Sequence, residues 1–514
     1  MRALKIVGWI LGGLLLLVVG VVAAVAIGGD KAMAYLIQHQ GAALLHRDIR
    51  LGGRFHVAWG NPIRIVADDI HVANASWGTE PDMFAARHLE LEIEPWPLLH
   101  LKVSIPRVAL DGSRTLLETS DKGEKNWDLF AAKAAAPKNR TQFPDVRRVE
   151  VTDSSFAFRN GETKANTEVG LAKVLAETPD TASPIKLAGD GTFQKQPYHL
   201  EGTVGALAQL QNPTEPYGVD VHGALGDTKL AVSGKMTEPL DIAGLDATVS
   251  ADGKDLQDTL AAVGLPIPPT PPYHVSGEIK HDGDVWKIEQ LETRLGKSQI
   301  AGGVSVDTGQ RVPYIQANLV AKYLDIADFK GFVGEKPPGS QKEPPKNTTG
   351  RIIPDMKLPL EKLPGFNADI SFDGADVRPA AGLPLQRVNL GLSLKDGVLR
   401  VKPLRFAMAN GDVDTDLTLS SAVKPPSLDL NLDVRRIDLH KLVVGMSVPK
   451  QVKETTGILG GSLKVKGKGA STREIVGSLD GEFALFMENG QISHILVALL
   501  NLDVANALNF LVQG

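Results

Sequence analysis

The sequence predicts a mainly β protein in which an N-terminal transmembrane helix leads into an elongated antiparallel β meander curled into a hydrophobic groove, with a few short helices. Three observations predict it. The first is the uncharged stretch Ile6 to Gly29, apolar on every face of a helix through Leu14–Val22 and Ala23–Ile27 and longer than the roughly 20 residues that cross a bilayer core. The second is the alternation of apolar and polar residues over most of the remaining chain, the period of half-buried strands. The third is a set of ten Asp-Gly or Asn-Gly pairs, which supply the positive-φ residues of tight hairpin turns.

Composition sets the bounds. After Asp30, charges, prolines and Asx-Gly pairs interrupt every apolar run in the 514-residue chain before it reaches bilayer length. Hydrophobic residues make up 43% of the chain and aromatics only 5%, so the buried surface must be built from Leu, Val, Ile and Ala. There is no cysteine, which excludes a disulfide framework, thiolate metal sites and a cysteine nucleophile. A net charge of −5 and a pI near 6.2 give no basic field, and no RNP-like or zinc-finger pattern occurs, so nucleic acid is not an expected partner.

Residues 1–29 are the expected anchor. Arg2, Lys5 and the amino terminus precede the span and Asp30 follows it, which by the positive-inside tendency leaves the N-terminus cytoplasmic and the body exported. Ala24-Val25-Ala26 keeps a cleaved signal peptide open, although the apolar run exceeds the usual h-region. Residues 30–135 form an N-terminal region of helix plus strands. Ala32, Tyr35, Leu36, Ala42, Ala43 and Leu45 have helical spacing, Gly52-Gly53 breaks it, and Ile63, Ile65 and Ala67 open the alternation. Leu89, Leu91 and Ile93 alternate with Glu90, Glu92 and Glu94 until Pro95-Trp96-Pro97 stops the strand; Val103, Ile105, Val108 and Leu110 resume it before Asp111-Gly112.

Residues 136–334 are a repetitive β region. Phe156 and Phe158 precede Asn160-Gly161, Val275, Gly277 and Ile279 precede Asp282-Gly283, and Ile315, Ala317 and Leu319 form another stripe. Asp255–Pro266, Asp325–Gly334 and Asp438–Pro449 repeat one unit, in which an Asp suited to an N-cap leads a short apolar helix ended by Gly or Pro. Residues 335–364 are rich in proline and lysine and read as an exposed insertion. Strands resume over residues 365–514 with Phe366, Ala368, Ile370 and Phe372, and the chain closes on an apolar helix over His494–Gly514.

Catalytic and metal chemistry is not indicated. Six of the twelve histidines lie in the first hundred residues, but none forms HExxH or another close ligand pair. Asp412, Asp414 and Asp416 alternate with Val413, Thr415 and Leu417; Leu417 stands where a calcium loop needs glycine, so the carboxylates are the wet face of a strand. Ser-x-x-Lys occurs at Ser183, Ser421 and Ser447 without its partner motifs, and Gly467-x-Gly469 lacks the third glycine of a dinucleotide fingerprint. The expectation is a non-enzyme with no cofactor and no metal. What remains is one-sided aliphatic sheet, best seen at Leu390, Leu392, Leu394, Leu428, Leu430, Leu432 and Val434, the candidates for lining a lipid groove. A closed sandwich would bury that face; an open trough of this length needs an occupant, for which acyl chains are suited.

Two motifs stand beside the N-terminal span. One runs from Pro97-Leu98-Leu99 to Gly123 and Asn126-Trp127, the other from Ser471-Thr472-Arg473-Glu474 through Asp480-Gly481 to Asn489-Gly490. In combination they resemble the AsmA family of Gram-negative inner-membrane proteins, relatives of TamB. The resemblance implies a single-pass inner-membrane protein with a periplasmic body, a chorein-like N-terminal end, and a hydrophobic groove that binds and transfers phospholipid in outer-membrane biogenesis. It implies no catalytic residues. The alternative is a scaffold or assembly factor that influences targeting of outer-membrane protein precursors through its strand edges. Members usually continue with more strands past the apolar C-terminal helix, whereas this chain stops at Gly514; either it is truncated or its groove ends early, and direct contact with the outer membrane is not part of the expectation.

Overall fold

The computed structural model describes residues 29–43, 45–100, 102–129, 144–162, 164–211, 215–239, 243–262, 267–333, 336–340, 358, 360–378, 385–444 and 455–491. The chain divides into two compact units, Met1–Val249 and Ser250–Gly514.

In the first unit, helix α1 occupies residues 29–43 and is followed by β1 (Ile49–Leu51), β2 (Phe55–Ala58), β3 (Ile63–Ala73) and β4 (Asp82–Ile93). β3 pairs antiparallel with the other three strands. Its alternation puts Ile63, Ile65 and Ala67 inside, where Met33 and Ile37 of α1 join Ile63, Ile65, Leu91 and Ile93 in one cluster. The start of α1 is fixed by Asp30, whose carboxylate accepts from the Val57 backbone N–H at 3.2 Å and bonds His56 Nδ1 at 2.8 Å. The His56 bond holds the Asp30 carboxyl below the usual carboxylate range. The histidines take structural partners here: His71 places Nδ1 2.7 Å from Asp82 and Nε2 3.0 Å from Asp69. With a carboxylate at each nitrogen the ring favours its doubly protonated form, and the bond to Asp82, then that to Asp69, raises its pKa.

The one-turn helix α2 (Pro95–Leu98) is followed by β5 (Ser104–Ile105), β6 (Arg107–Asp111) and β7 (Arg114–Thr119), then β8 (Asp145–Val146) and β9 (Arg148–Asn160). β6 and β7 pair antiparallel with β4, but β9 runs parallel to both. The antiparallel meander expected from sequence is therefore interrupted, and residues 120–147 supply the length that a parallel crossover needs. The crossover starts from a latch. Asn126 is fully buried; its Nδ2 donates to the Leu116 carbonyl at 2.9 Å and to Asn74 Oδ1 at 3.0 Å, and its Oδ1 accepts from the Glu118 backbone N–H at 3.0 Å. The buried Glu118 carboxylate in turn accepts from Asn74 Nδ2 and from the backbone and hydroxyl of Thr79. Antiparallel pairing then continues through β10 (Asn166–Glu177), β11 (Pro184–Phe193), β12 (Gln196–Ala206), β13 (Tyr217–Leu225) and β14 (Thr228–Met236), with the short helix α3 (Leu207–Gln211) after β12. The boundary between the units falls within β15 (Leu245–Gly253).

The second unit begins with α4 (Leu256–Ala262) and the antiparallel run β16 (Tyr273–Asp282), β17 (Val285–Leu295), β18 (Ser298–Asp307) and β19 (Tyr314–Asp325). A 3-10 helix at Ile326–Val333 and another at Leu360–Gly365 lead to β20 (Asn367–Gly374), which runs parallel to β19, and to β21 (Val377–Arg378). The proline-rich residues 335–364 thus belong to a second parallel crossover; residues 341–357 of it lie outside the described residues. Antiparallel pairing resumes in β22 (Leu385–Lys395), β23 (Val398–Met408), β24 (Gly411–Ser420) and β25 (Ser427–Asp438). It continues, past α5 (Leu439–Val444), into β26 (Thr456–Lys468) and, past α6 (Thr472–Gly477), into β27 (Asp480–Gln491).

The repeated Asp-led segments are the short helical elements α4, Ile326–Val333 and α5. In each, the leading Asp caps the helix start: Asp255 accepts from Gln257 N–H at 3.0 Å, Asp325 from Ala327 N–H at 3.0 Å and Asp438 from Lys441 N–H at 3.2 Å. The Asx-Gly pairs divide. Asp396-Gly397, with φ of 49° and 77°, makes the β22–β23 turn, but Asp190-Gly191 lies inside β11, whose turn to β12 is made by Gln194-Lys195 at φ of 49° and 70°. Gly191 answers a different requirement. A Cβ there would stand 1.9 Å from the Gly170 carbonyl oxygen of β10, so only glycine lets the two strands approach.

The expected N-terminal transmembrane helix is corrected. Among the described residues no helix is long and apolar enough to cross a membrane, and residues 6–28, which carried that expectation, lie outside them, as does the apolar C-terminal segment 494–514.

Candidate functional site

The seven aliphatic residues singled out from sequence come together on one face of the second unit. Leu390, Leu392 and Leu394 stand on β22 and Leu428, Leu430, Leu432 and Val434 on β25, joined through β23 and β24 by cross-strand partners that share a face. Leu392 registers with Val401, Val401 with Leu417 and Leu417 with Leu430. Parallel rows join Leu390 to Leu432 through Leu404 and Thr415, and Leu394 to Leu428 through Leu399 and Leu419. The Leu392 row extends unbroken to Ile370, Ala317, Val304, Ile288 and Ile279 on one side and to Val465 on the other.

Leu394 is buried and the other six are half-buried. One end of the face is covered, since Leu442 of α5 packs against Met408, Val413 and Ile437, and Ile326 and Phe329 pack against Ala321 and Leu324. The opposite face is charged: Asp414 takes Arg405 and Arg435, Asp416 takes Lys402 at 2.6 Å and Asp429 takes Lys466 at 3.5 Å. Those carboxylates neutralise neighbouring strands, and among the described residues no group of three or more His, Asp or Glu is placed to hold a metal.

Sequence reasoning missed the β23 and β24 members of the face. In β23 the period breaks at Lys402-Pro403, a bulge across which Val401 pairs with Leu392 and Leu404 with Leu390. For β24 the signal was present, because a wet face at Asp412, Asp414 and Asp416 implies a dry one at Val413, Thr415 and Leu417.

Sequence reasoning also missed the edge. β27 registers with β26 from Thr456–Gln491 to Lys466–Asp480 and, among the described residues, pairs with no other strand. Its apolar side chains are open to solvent: Phe483 is 70% exposed, Leu485 52% and Phe486 60%. Phe483 and Leu485 share the aliphatic face, since Phe483 registers with Leu463 and Leu463 with Leu432, while Leu485 reaches Val434 through Gly461. Phe486 lies on the other face, its ring over Gly460, where a Cβ would come within 2.2 Å of it. Exposed sheet edges are ordinarily guarded by charged side chains, lysine above all, by proline or by shortness. β27 has twelve residues and neither lysine nor proline, and its charges are the carboxylates Asp480, Glu482 and Glu488.

The model of the AsmA family matches residues 1–158 and 176–512. The chain belongs to the AsmA family. A curated relative, the AsmA family protein YhjG of Escherichia coli (strain K12), is 23% identical over 551 residues, an alignment that covers 98% of this chain and 80% of that protein. No solved structure matches. The two motifs that carried the resemblance fall inside the matched residues, and both are structural: Asn126 is the buried latch, and Ser471 caps α6 by accepting from Glu474 N–H at 3.2 Å.

Membership does not carry the topology inferred from residues 6–29. The inner-membrane, single-pass location with a cytoplasmic N-terminus and periplasmic body rested on the spanning helix, and no described helix is of that kind. The reading as an inner-membrane-anchored phospholipid carrier is corrected on the same ground, and the geometry of β27 favours the assembly-factor alternative.

Proposed function

We propose that this AsmA-family chain is an assembly factor of outer-membrane biogenesis, which receives extended segments of β-barrel precursors on the outer edge of β27. The observation that carries this reading is a twelve-residue edge strand with exposed Phe483 and Leu485 and a single strand partner among the described residues. An added strand gains main-chain hydrogen bonds along such an edge, and alternate side chains set its specificity. Precursors of outer-membrane barrels alternate apolar and polar residues, which matches an edge whose one face continues into the row from Phe483 to Leu432 and Leu390 and whose other face carries Glu482 and Glu488. The aliphatic residues Leu390 to Leu394 and Leu428 to Val434 serve, in this reading, as the apolar surface behind the docked strand. The general role of the family in envelope biogenesis supports a client of this class.

The test compares Leu485→Lys with Thr418→Lys, which stands in the interior of the sheet on its polar face. Binding of a small outer-membrane β-barrel precursor, kept unfolded, is measured by fluorescence anisotropy. Loss of the leucine contact that a docked strand would bury, about 1.5 kcal/mol, and a lysine on the edge are expected to weaken binding about tenfold or more for Leu485→Lys and to leave Thr418→Lys unchanged. Unchanged affinity in Leu485→Lys would sink the proposal.

A further inference from the structure

A second exposed apolar group lies in the first unit, at the end of β3 and β4. Ile63, the first residue of β3, registers with Ile93, the last of β4. The β2–β3 turn that carries Trp59 and the α2 turn that carries Trp96 and Leu99 therefore leave the sheet at the same end. Trp59 is 57% exposed, Trp96 67% and Leu99 75%. The α2 turn is held in place: Leu98 and Val103 pack against the cluster of Ile63, Ile93 and Met33, and the backbone N–H groups of His100 and Lys102 both donate to the Pro97 carbonyl.

We infer that Trp59, Trp96 and Leu99 form a lipid-contacting rim that seats in the headgroup–acyl boundary of a phospholipid bilayer. An indole joins a large apolar body to one N–H donor, the combination suited to that boundary. Three side chains on two turns offer far less than the roughly 1,000 Å² that a specific protein interface buries, whereas shallow insertion of a few apolar side chains suffices for a contact with lipid. Charge is complementary, with Lys31 and Lys102 exposed around the rim and able to meet anionic headgroups. The bonds from Asp30 to His56 and Val57 hold the start of α1, and with it Lys31, two residues from Trp59. The contact involves no residue of β27, so it stands or falls separately from client binding.

The experiment uses the full chain carrying Trp9→Phe, mixed with vesicles of bromine-labelled phosphatidylcholine and phosphatidylglycerol, with quenching of tryptophan emission as the readout. Trp59→Phe and Trp96→Phe are then added singly and together. Each side chain is more than half exposed, so the fold is retained, which far-UV circular dichroism checks. The expected result is quenching that falls with each substitution and is mostly lost in the double variant, whose remaining Trp77, Trp127 and Trp286 are half-buried elsewhere. Equal quenching with and without Trp59 and Trp96, no quenching in vesicle-bound protein, or failure to bind the vesicles overturns the inference.

Discussion

Gly191→Ala is expected to destabilise the first unit by about 3 kcal/mol, the upper part of the range for overpacking, while Gly189→Ala, two residues away on the same face of β11, costs less than about 1 kcal/mol. The difference lies in what each new methyl meets. At Gly191 it would stand 1.9 Å from the Gly170 carbonyl oxygen and 2.9 Å from the Tyr198 ring, and the oxygen belongs to a backbone already committed to the β10–β11 ladder. At Gly189 the nearest atoms are those of the Leu200 side chain at 3.3 to 3.6 Å, which can turn aside. Urea unfolding of the two variants checks the pair. Equal losses would mean that the close strand approach at Gly191 is not what requires glycine there.

A loss of similar size is expected from Asn126→Ala. The substitution leaves the Glu118 N–H and the Leu116 carbonyl without their partner in a fully buried position, and each unsatisfied group costs about 1–3 kcal/mol, so about 3 kcal/mol in all is expected. Lys122→Ala, exposed in the same turn, should fall within about 0.5 kcal/mol of the parent. Thermal unfolding distinguishes the two. The result also separates a structural motif from a functional one: if Asn126→Ala were fully stable, the buried latch would not explain why the Gly123 to Trp127 segment reads as it does.

What was legible in the sequence is what local chemistry dictates. Two-residue alternation located the strands around Ile63, Leu91, Leu392 and Leu430, and Asp255, Asp325 and Asp438 announced their helices because an N-cap is a bond between near neighbours. The parallel entries of β9 and β20 were not legible, since nothing in residues 148–160 or 367–374 distinguishes a parallel partner from an antiparallel one; only the long connections before them hint at it. Asp190-Gly191 reads as a turn because a dipeptide looks the same whether its glycine serves a positive φ or a close approach. The edge at β27 is a further case. Phe483, Leu485 and Met487 alternate like any other strand, and the lack of a second strand partner among the described residues is a property of topology, not of those residues.

The most direct test of the assembly-factor account is hydrogen–deuterium exchange of the β27 amides, followed with and without an unfolded outer-membrane β-barrel precursor bound to the full chain. Strand addition pairs the outward amides of Asp480–Gln491, so the account predicts that their exchange slows on binding while that of β24, already paired on both sides, does not change. Precursor bound with the exchange of β27 unaltered would contradict it.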